Sequence, residues 1–190
     1  EDGRCFIVRE ETSTGYMHLY LYGIGQGVLH PITQGEWEVT DFVGLRGDKV
    51  YYISTESSPL KRDLYRVGLD GKHKERLTPG DGYYSIYPSA DLSYYICEGG
   101  DSSAPGRTDV FNAAGKRVRT LYDNAPLKEA LVEAGLPVRE FFTFTTERGD
   151  ELNGYMLKPL DFDPAKRYPV LLTQYSGPGS QQVAEGWGPD

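Results

Sequence analysis

The sequence predicts a mainly β protein with about three four-stranded blades of a β-propeller, followed by the first strands of an α/β domain. Three observations support this prediction. The 190 residues include 23 glycines, 12 prolines and 15 tyrosines, which suits many short strands joined by tight turns. One pattern repeats with a period of about 45 residues, which is typical of propeller blades. A nearly continuous apolar run at residues 168–175 is typical of a strand buried on both faces.

The repeat consists of segments that follow one another in a fixed order. After a polar turn comes an apolar or aromatic strand at residues 5–8, 50–53 and 94–97. The next strand lies at residues 18–22, 63–67 and 108–112, and the last at residues 29–33, 75–78 and 119–122. Innermost strands are predicted at residues 37–43 and 83–87, and the first blade lacks one. We therefore expect the chain to begin partway through a blade.

Turn-forming residues separate the paired strands of each repeat. They occupy residues 23–27, 69–72 and 112–116, where glycine, aspartate and asparagine favour hairpins. An antiparallel sandwich would also contain short strands, but it does not require the fixed order of segments. The repeat therefore favours a propeller for residues 1–122.

The periodicity changes after residue 122, where a helix and then a second domain are predicted. Residues 123–136 form the connecting helix, with Asn124 as its cap, Pro126 in its first turn and Gly135 as its stop. Its predicted apolar face comprises Leu127, Ala130, Leu131 and Ala134. Residues 137–190 are then the N-terminal strands of an α/β domain that this chain contains only in part. They comprise a hairpin of residues 140–146 with 151–159, and the strand at 168–175.

Composition excludes several classes of function. The net charge of −8, without clustered Lys and Arg, argues against a nucleic-acid partner. The sequence has no run of 18 apolar residues, so it predicts no transmembrane segment. Cys5 and Cys97 have neither a disulfide framework nor zinc-site spacing, so we expect two buried free thiols and no cofactor.

Several short strings, read in order, resemble one family along nearly the whole chain. They are residues 32–39 (ITQGEWEV), 50–56 (VYYISTE), 97–100 (CEGG), 160–169 (LDFDPAKRYP) and 175–181 (YSGPGSQ). Each string alone is a weak signal, but their order and spacing are specific. The chain resembles the dipeptidyl peptidase IV family of serine exopeptidases.

This resemblance implies a fold and an activity. Family members place an eight-bladed propeller over an α/β-hydrolase domain whose Ser-Asp-His triad removes N-terminal dipeptides, mostly after proline or alanine. The chain would then hold the last three blades and the first hydrolase strands, while the triad lies outside it and the fragment alone is inactive. The resemblance further implies peptide substrates with a free N-terminus, a homodimeric parent protein, and a periplasmic, secreted or cell-surface location.

Tyr175 is the one residue to which the resemblance assigns a chemical role. It matches the family's oxyanion-hole tyrosine, which donates to the negative charge that develops on the scissile carbonyl oxygen. Gly177 and Pro178 follow as in the family pattern, whereas Gly179 stands where some members have cysteine. Pro178 and Gln181 are predicted to line the leaving-group side of the cleft. From the bare sequence, a tyrosine that ends a strand is ordinarily a packing residue.

Other residues that suggest catalysis do not fit their motifs. Ser180 is not a predicted nucleophile, because a nucleophile elbow needs glycines two residues before and after the serine. The histidines, His18, His30 and His73, lie in the repeat region and are not predicted to be catalytic. Two alternatives remain open for the parent protein. One is a propeller-type binding module without chemistry, and the other is a related oligopeptidase or acylaminoacyl peptidase.

Overall fold

The structure, a computed structural model, describes residues 3–11, 14–175, 177 and 180–188. Its elements in chain order are β1 (Cys5–Glu11), β2 (Met17–Gly23), β3 (Gly27–Pro31), β4 (Val39–Arg46), β5 (Lys49–Ser54), β6 (Asp63–Gly68), β7 (Glu75–Arg76), β8 (Tyr83–Pro88), β9 (Tyr94–Gly100), β10 (Arg107–Asn112), β11 (Arg117–Tyr122), α1 (Ala125–Ala134), β12 (Glu140–Thr145) and β13 (Glu151–Met156).

The strands form three consecutive antiparallel sheets, which we call blades 1, 2 and 3. Blade 1 has the order β1-β2-β3, blade 2 the order β4-β5-β6-β7, and blade 3 the order β8-β9-β10-β11. In each blade, every strand pairs with the next one along the chain. The predicted mainly β fold and the partial propeller are therefore confirmed, including a first blade of three strands in the described residues.

The same hairpin recurs in blades 2 and 3. The Gly68 amide donates to the carbonyl of Lys72 at 2.8 Å, and the Asn112 amide donates to the carbonyl of Lys116 at 3.0 Å. The glycine before each lysine has a φ of 76°, in the left-handed region that costs glycine little. The predicted turn at residues 112–116 thus forms with the same geometry as its counterpart at residues 68–72.

Two hydrophobic cores lie between the blades, and blade 2 contributes to both. Side chains alternate between the faces of a strand, so Tyr51 and Tyr52 of β5 enter different cores. The core between blades 1 and 2 contains Leu19, Ile32, Val39, Val50, Tyr52, Tyr65 and Val67. The core between blades 2 and 3 contains Tyr51, Leu64, Leu77, Tyr84, Tyr95, Cys97 and Phe111.

Tyrosine hydroxyls add hydrogen bonds between blades 2 and 3. The Tyr51 hydroxyl donates to the carbonyl of Ala113 at 3.0 Å, and the Tyr95 hydroxyl donates to the carbonyl of Leu77 at 3.1 Å. Arg66 donates to the same Ala113 carbonyl at 3.0 Å. Because each donor and its acceptor belong to different blades, these bonds fix the two sheets relative to each other.

Polar side chains join the last two strands of blades 1 and 2. In blade 2 the buried Asp63 accepts from the Thr78 hydroxyl at 2.5 Å and pairs with Arg76 at 2.8 Å. In blade 1, the positions 45 residues earlier hold His18 and Thr33, whose polar atoms lie 3.1 Å apart. The repeat therefore preserves a side-chain link at these positions even though the residue types differ.

The buried carboxylate of blade 3 does not lie at the position 45 residues after Asp63 of blade 2. Asp109 accepts from the Thr120 hydroxyl at 2.6 Å and from two nitrogens of Arg107 at 3.1 and 3.2 Å. Burial raises the pKa of the Asp109 carboxyl, but the hydrogen bonds from Arg107 and Thr120 and the charges of Arg107 and Arg117 outweigh it. The net pKa of Asp109 lies below its usual value.

The connecting helix begins after Asn124 and ends at Gly135 as predicted, but Asn124 does not cap it with its side chain. Gly135 adopts the left-handed conformation and closes the last turn. Asn124 occupies the N-cap position, yet its side chain donates to the carbonyl of Gly106 at 2.6 Å instead of capping the helix. The Asp123 carboxylate accepts from the Ala125 amide instead, at 3.1 Å. The predicted apolar face is not buried in the described residues.

The prediction of two buried thiols is wrong for one cysteine. Cys97 is buried between blades 2 and 3, whereas Cys5 is exposed. Cys5 begins β1 and pairs across the sheet with Gly23, which has no side chain to cover it.

Packing between blades 2 and 3 predicts a large difference between two leucines. Leu64→Ala removes a buried side chain from the core, so the free energy of unfolding should fall by about 2–5 kcal/mol. Leu127→Ala is the control, since this helix side chain is exposed and its loss should cost about 0.5 kcal/mol or less. Urea unfolding measures both, and equal losses would contradict the described core.

The ion pair of Asp109 predicts a dependence of stability on pH. Because its folded pKa is lowered, its contribution is present above the unfolded pKa of about 3.9 and is lost as pH falls through the folded pKa. Asp109→Asn should therefore lose less stability than the wild type below about pH 4. Urea unfolding at a series of pH values tests this, with the exposed Asp161→Asn as control. Identical profiles for wild type and Asp109→Asn would refute the expectation.

Candidate active-site segment

The segment around Tyr175 contains no helix or strand in its described residues from 157 onwards. The predicted strand at residues 168–175 is therefore not formed. Val170, Leu171 and Leu172 have 88%, 89% and 84% of their surface exposed. A strand needs a hydrogen-bonded neighbour, and the nearest described sheet, β12 with β13, pairs only within itself. The predicted hairpin of these two strands is confirmed.

A compact turn precedes the apolar run. The Phe162 amide donates to the carbonyl of Pro159 at 3.0 Å, and the Tyr168 hydroxyl accepts from the Asp163 amide at 2.9 Å. The Phe162 and Tyr168 rings stack with their centroids 5.2 Å apart. These contacts fix the start of the segment that leads to Tyr175.

Tyr175 has an exposed ring that lies against Gly177. Its side chain is 65% exposed, so it is not a core packing residue in the described structure. A Cβ atom at position 177 would lie 2.6 Å from the Cε1 atom of Tyr175 and 2.8 Å from its hydroxyl oxygen. These distances are too short for any residue except glycine, so Gly177 is required for this position of the ring.

Among the described hydrogen bonds, none joins Gln181 to Tyr175. The side-chain amide of Gln181 donates to the carbonyl of Val183, two residues further along the chain, at 2.6 Å. Pro178 lies outside the described residues. Ser180 closes a turn with Gly177, since its amide donates to the Gly177 carbonyl at 3.2 Å. The roles of Pro178 and Gln181 in substrate binding stay predictions.

After this turn the chain returns to the propeller, through residues 183–188, which we call the anchor segment. The Glu185 amide donates to the carbonyl of Leu60 at 2.9 Å, and its carboxylate lies 3.1 Å from the Lys61 ammonium nitrogen. Gly186 packs against Tyr83, where an added Cβ would lie 3.0 Å from the Tyr83 Cβ. The anchor segment therefore contacts both blade 2, through the loop before β6, and blade 3.

The start of the second predicted domain also binds the anchor segment. Arg139, just before β12, donates to the carbonyls of Gly186 at 2.7 Å and Gly188 at 3.0 Å. Its guanidinium carbon lies 5.0 Å from the centre of the Tyr155 ring in β13. Sequence reasoning missed this joint, because Arg139 and its acceptors are far apart in the sequence and form no motif.

A cavity of about 550 Å³ lies beside blade 3, between the loop that leads into β8, the loop between β9 and β10, and α1. Its charged lining residues are Asp81, Asp101, Asp109, Arg107, Arg117 and Lys128. The pKa of the Asp101 carboxyl is lowered chiefly by a hydrogen bond from Ser103. Because three acidic and three basic side chains line the cavity, its lining does not favour one ligand charge.

The histidines are not part of a metal-binding group in the described residues. His18 is buried in blade 1, where its ring nitrogens contact the Thr33 hydroxyl at 3.1 Å and the Gly35 carbonyl at 3.0 Å. Across the described parts of the chain, no three His, Cys, Asp or Glu side chains are grouped so that they could hold a metal ion. None of the described helices has the length and apolarity needed to cross a membrane.

Comparison with protein families gives one match over more than half of the chain. The family described as the dipeptidyl peptidase IV (DPP IV) N-terminal region matches residues 1–105. Among curated proteins, a probable dipeptidyl peptidase 4 from Emericella nidulans is 36% identical over 190 residues. That alignment covers 96% of this chain and 24% of the relative. A dipeptidyl peptidase 4 from Arthroderma otae is 33% identical over 98% of this chain and 25% of its own length.

Solved structures show the same fold. The crystal structure of dipeptidyl peptidase 4 from Porphyromonas gingivalis superposes with a TM-score of 0.90 at 36% identity, and it covers all of this chain and 27% of its own. A putative dipeptidyl aminopeptidase IV from Bacteroides ovatus matches with a TM-score of 0.81 at 23% identity, which supports the fold alone. The chain spans about a quarter of the length of the curated relatives that it matches.

Proposed function

Because the chain belongs to the dipeptidyl peptidase IV family, we propose that its parent protein is a serine exopeptidase that releases N-terminal dipeptides from peptides. Tyr175 is the oxyanion donor in this proposal. The observation that supports it is an exposed phenol, held beside Gly177, at the position that matches the family's oxyanion tyrosine. The chain contributes this donor and three blades, while the nucleophile belongs to the rest of the parent protein.

The proposed chemistry needs a donor that is in place before the reaction. When the serine oxygen attacks the scissile carbonyl carbon, the C=O π electrons move to the carbonyl oxygen and leave it negatively charged. A phenol is an uncharged O–H donor, so Tyr175 can stabilise that oxygen without a competing charge. The second donor in hydrolases of this fold is usually a backbone amide after the nucleophile. The triad histidine takes the serine proton and gives it to the amine of the shortened peptide as the intermediate collapses. Water then hydrolyses the acyl-enzyme and releases the dipeptide.

The described contacts near Tyr175 support this role. An oxyanion donor is effective when it does not have to reorganise during the reaction. The absence of a side chain at Gly177 lets the ring lie close to the backbone, and the anchor segment fixes the far end of the same loop. We extend the proposal, on the family resemblance alone, to a homodimeric parent protein with a periplasmic, secreted or cell-surface location.

The proposal predicts that one hydroxyl group governs turnover. In the full-length parent protein, Tyr175→Phe should lower kcat by about two to three orders of magnitude. Folding should be unaffected, because the side chain is exposed. The matched control is Tyr122→Phe, whose side chain is 67% exposed in blade 3 and which should retain wild-type kcat. Steady-state kinetics with a chromogenic dipeptide substrate measures both, and an unchanged kcat for Tyr175→Phe would reject the role.

The proposal also predicts a requirement for a free N-terminus, which separates it from the two alternatives. The full-length protein should hydrolyse Gly-Pro-p-nitroanilide and leave its N-acetylated form intact. Preferential cleavage of the acetylated substrate would instead indicate an acylaminoacyl peptidase or oligopeptidase. No cleavage of either substrate, by a protein that folds, would favour a binding module.

A further inference from the structure

We propose that Lys61 is a positioning residue that holds the Tyr175 loop on the propeller through its ion pair with Glu185. The inference rests on the proposed role of Tyr175. It assigns to the loop before β6 a part in the geometry of the oxyanion site, although Lys61 itself touches none of the reacting atoms.

Lys61 is held by a backbone hydrogen bond and by two ion pairs of its side chain. Its amide donates to the carbonyl of Ser58 at 3.1 Å, and its side chain is only 16% exposed. The ammonium nitrogen lies 3.1 Å from the Glu185 carboxylate and 3.4 Å from the Asp81 carboxylate. Partial burial lowers the pKa of Lys61, but the two carboxylates outweigh it and raise the net pKa. The lysine therefore remains charged when it pairs with Glu185.

Glu185 is attached to the propeller by both its backbone and its side chain. Its amide donates to the carbonyl of Leu60, while its carboxylate pairs with Lys61. The next residue, Gly186, packs against Tyr83 at the start of β8. Arg62 stacks on the ring of the same Tyr83, with its guanidinium carbon 5.5 Å from the ring centre. Two consecutive residues of the anchor segment thus contact two neighbouring blades.

The position of the anchor along the chain connects it to Tyr175. Nine residues separate Tyr175 from Glu185, so they form the two ends of one short loop. Holding the second end restricts the positions that the first end can reach. Oxyanion stabilisation depends strongly on such positions, because misplacement by about 1 Å can cost a factor of about a hundred in rate. Arg139, just before β12, restrains the same segment.

The experiment uses the full-length parent protein and variants of this ion pair. Lys61→Met should lower kcat about tenfold and leave KM within about twofold, because the effect is on positioning rather than on substrate binding. Lys61→Glu should be at least as impaired, since it places a third carboxylate beside Glu185 and Asp81. Adding Glu185→Lys to Lys61→Glu restores the pair and should recover most of the lost kcat. Lys72→Met, at an exposed hairpin turn, is the control and should match the wild type.

Two further measurements separate positioning from loss of stability. In a Tyr175→Phe background, Lys61→Met should cost almost nothing more, because both changes remove the same contribution. Hydrogen exchange of peptides that span residues 174–188 should be faster in Lys61→Met than in Lys72→Met. If Lys61→Met fails to fold, Glu185→Gln breaks the same ion pair from the other end.

The outcomes distinguish this inference from the proposed function. If Tyr175→Phe is impaired and Lys61→Met has wild-type kcat, or if their losses are fully additive, the positioning role is wrong and the proposed function stands. If Tyr175→Phe itself has wild-type kcat, the proposed function is wrong and the positioning role falls with it. Failure of the charge exchange to recover kcat, in a protein that folds, also overturns the role of Lys61.

Discussion

The fold depends on one constraint, which is that the two central strands of blade 2, β5 and β6, are buried on both faces. Tyr51 and Tyr52 are adjacent in β5, yet one packs with blade 3 and the other with blade 1. A shift of one residue in the pairing of β5 would exchange these faces along the whole strand. Each core would then receive side chains shaped for the other. The tight turn between Arg46 and Lys49 maintains this register, because it sets where β4 and β5 begin to pair.

This constraint explains how much of the fold could be predicted from the sequence. The period, the turns and the order of strands are local features, and they were sufficient for the three blades. The facing of individual strands was not predictable, because residues 50–53 are apolar throughout and carry no alternation. The aligned repeat equates Tyr51 with Tyr95, but Tyr95 packs towards blade 2 as Val50 packs towards blade 1. The true equivalence in this strand is therefore shifted by one residue.

The candidate site was predictable as a motif and not as a structure. The string that surrounds Tyr175 identified the residue, and the glycine required beside its ring is part of the same string. The strand at residues 168–175 was predicted because the run is apolar. Such a pattern indicates what a strand would bury, but pairing also needs a neighbouring strand, and none is found beside it in the described chain. The helix cap failed for a related reason, because the Asn124 side chain bonds to Gly106 of blade 3.

The joint between propeller and site could not be predicted, since residues 61 and 185 are far apart in sequence and form no motif. The joint nevertheless lies where blades 2 and 3 pack against each other. Leu60 is buried against the blades and its carbonyl accepts from Glu185, while Arg62 bridges to Tyr83 across blades 2 and 3. The residues that position the anchor segment are therefore held by the packing between these two blades. If Lys61 positions Tyr175 as proposed, the geometry at Tyr175 depends on a core that contains none of the reacting groups.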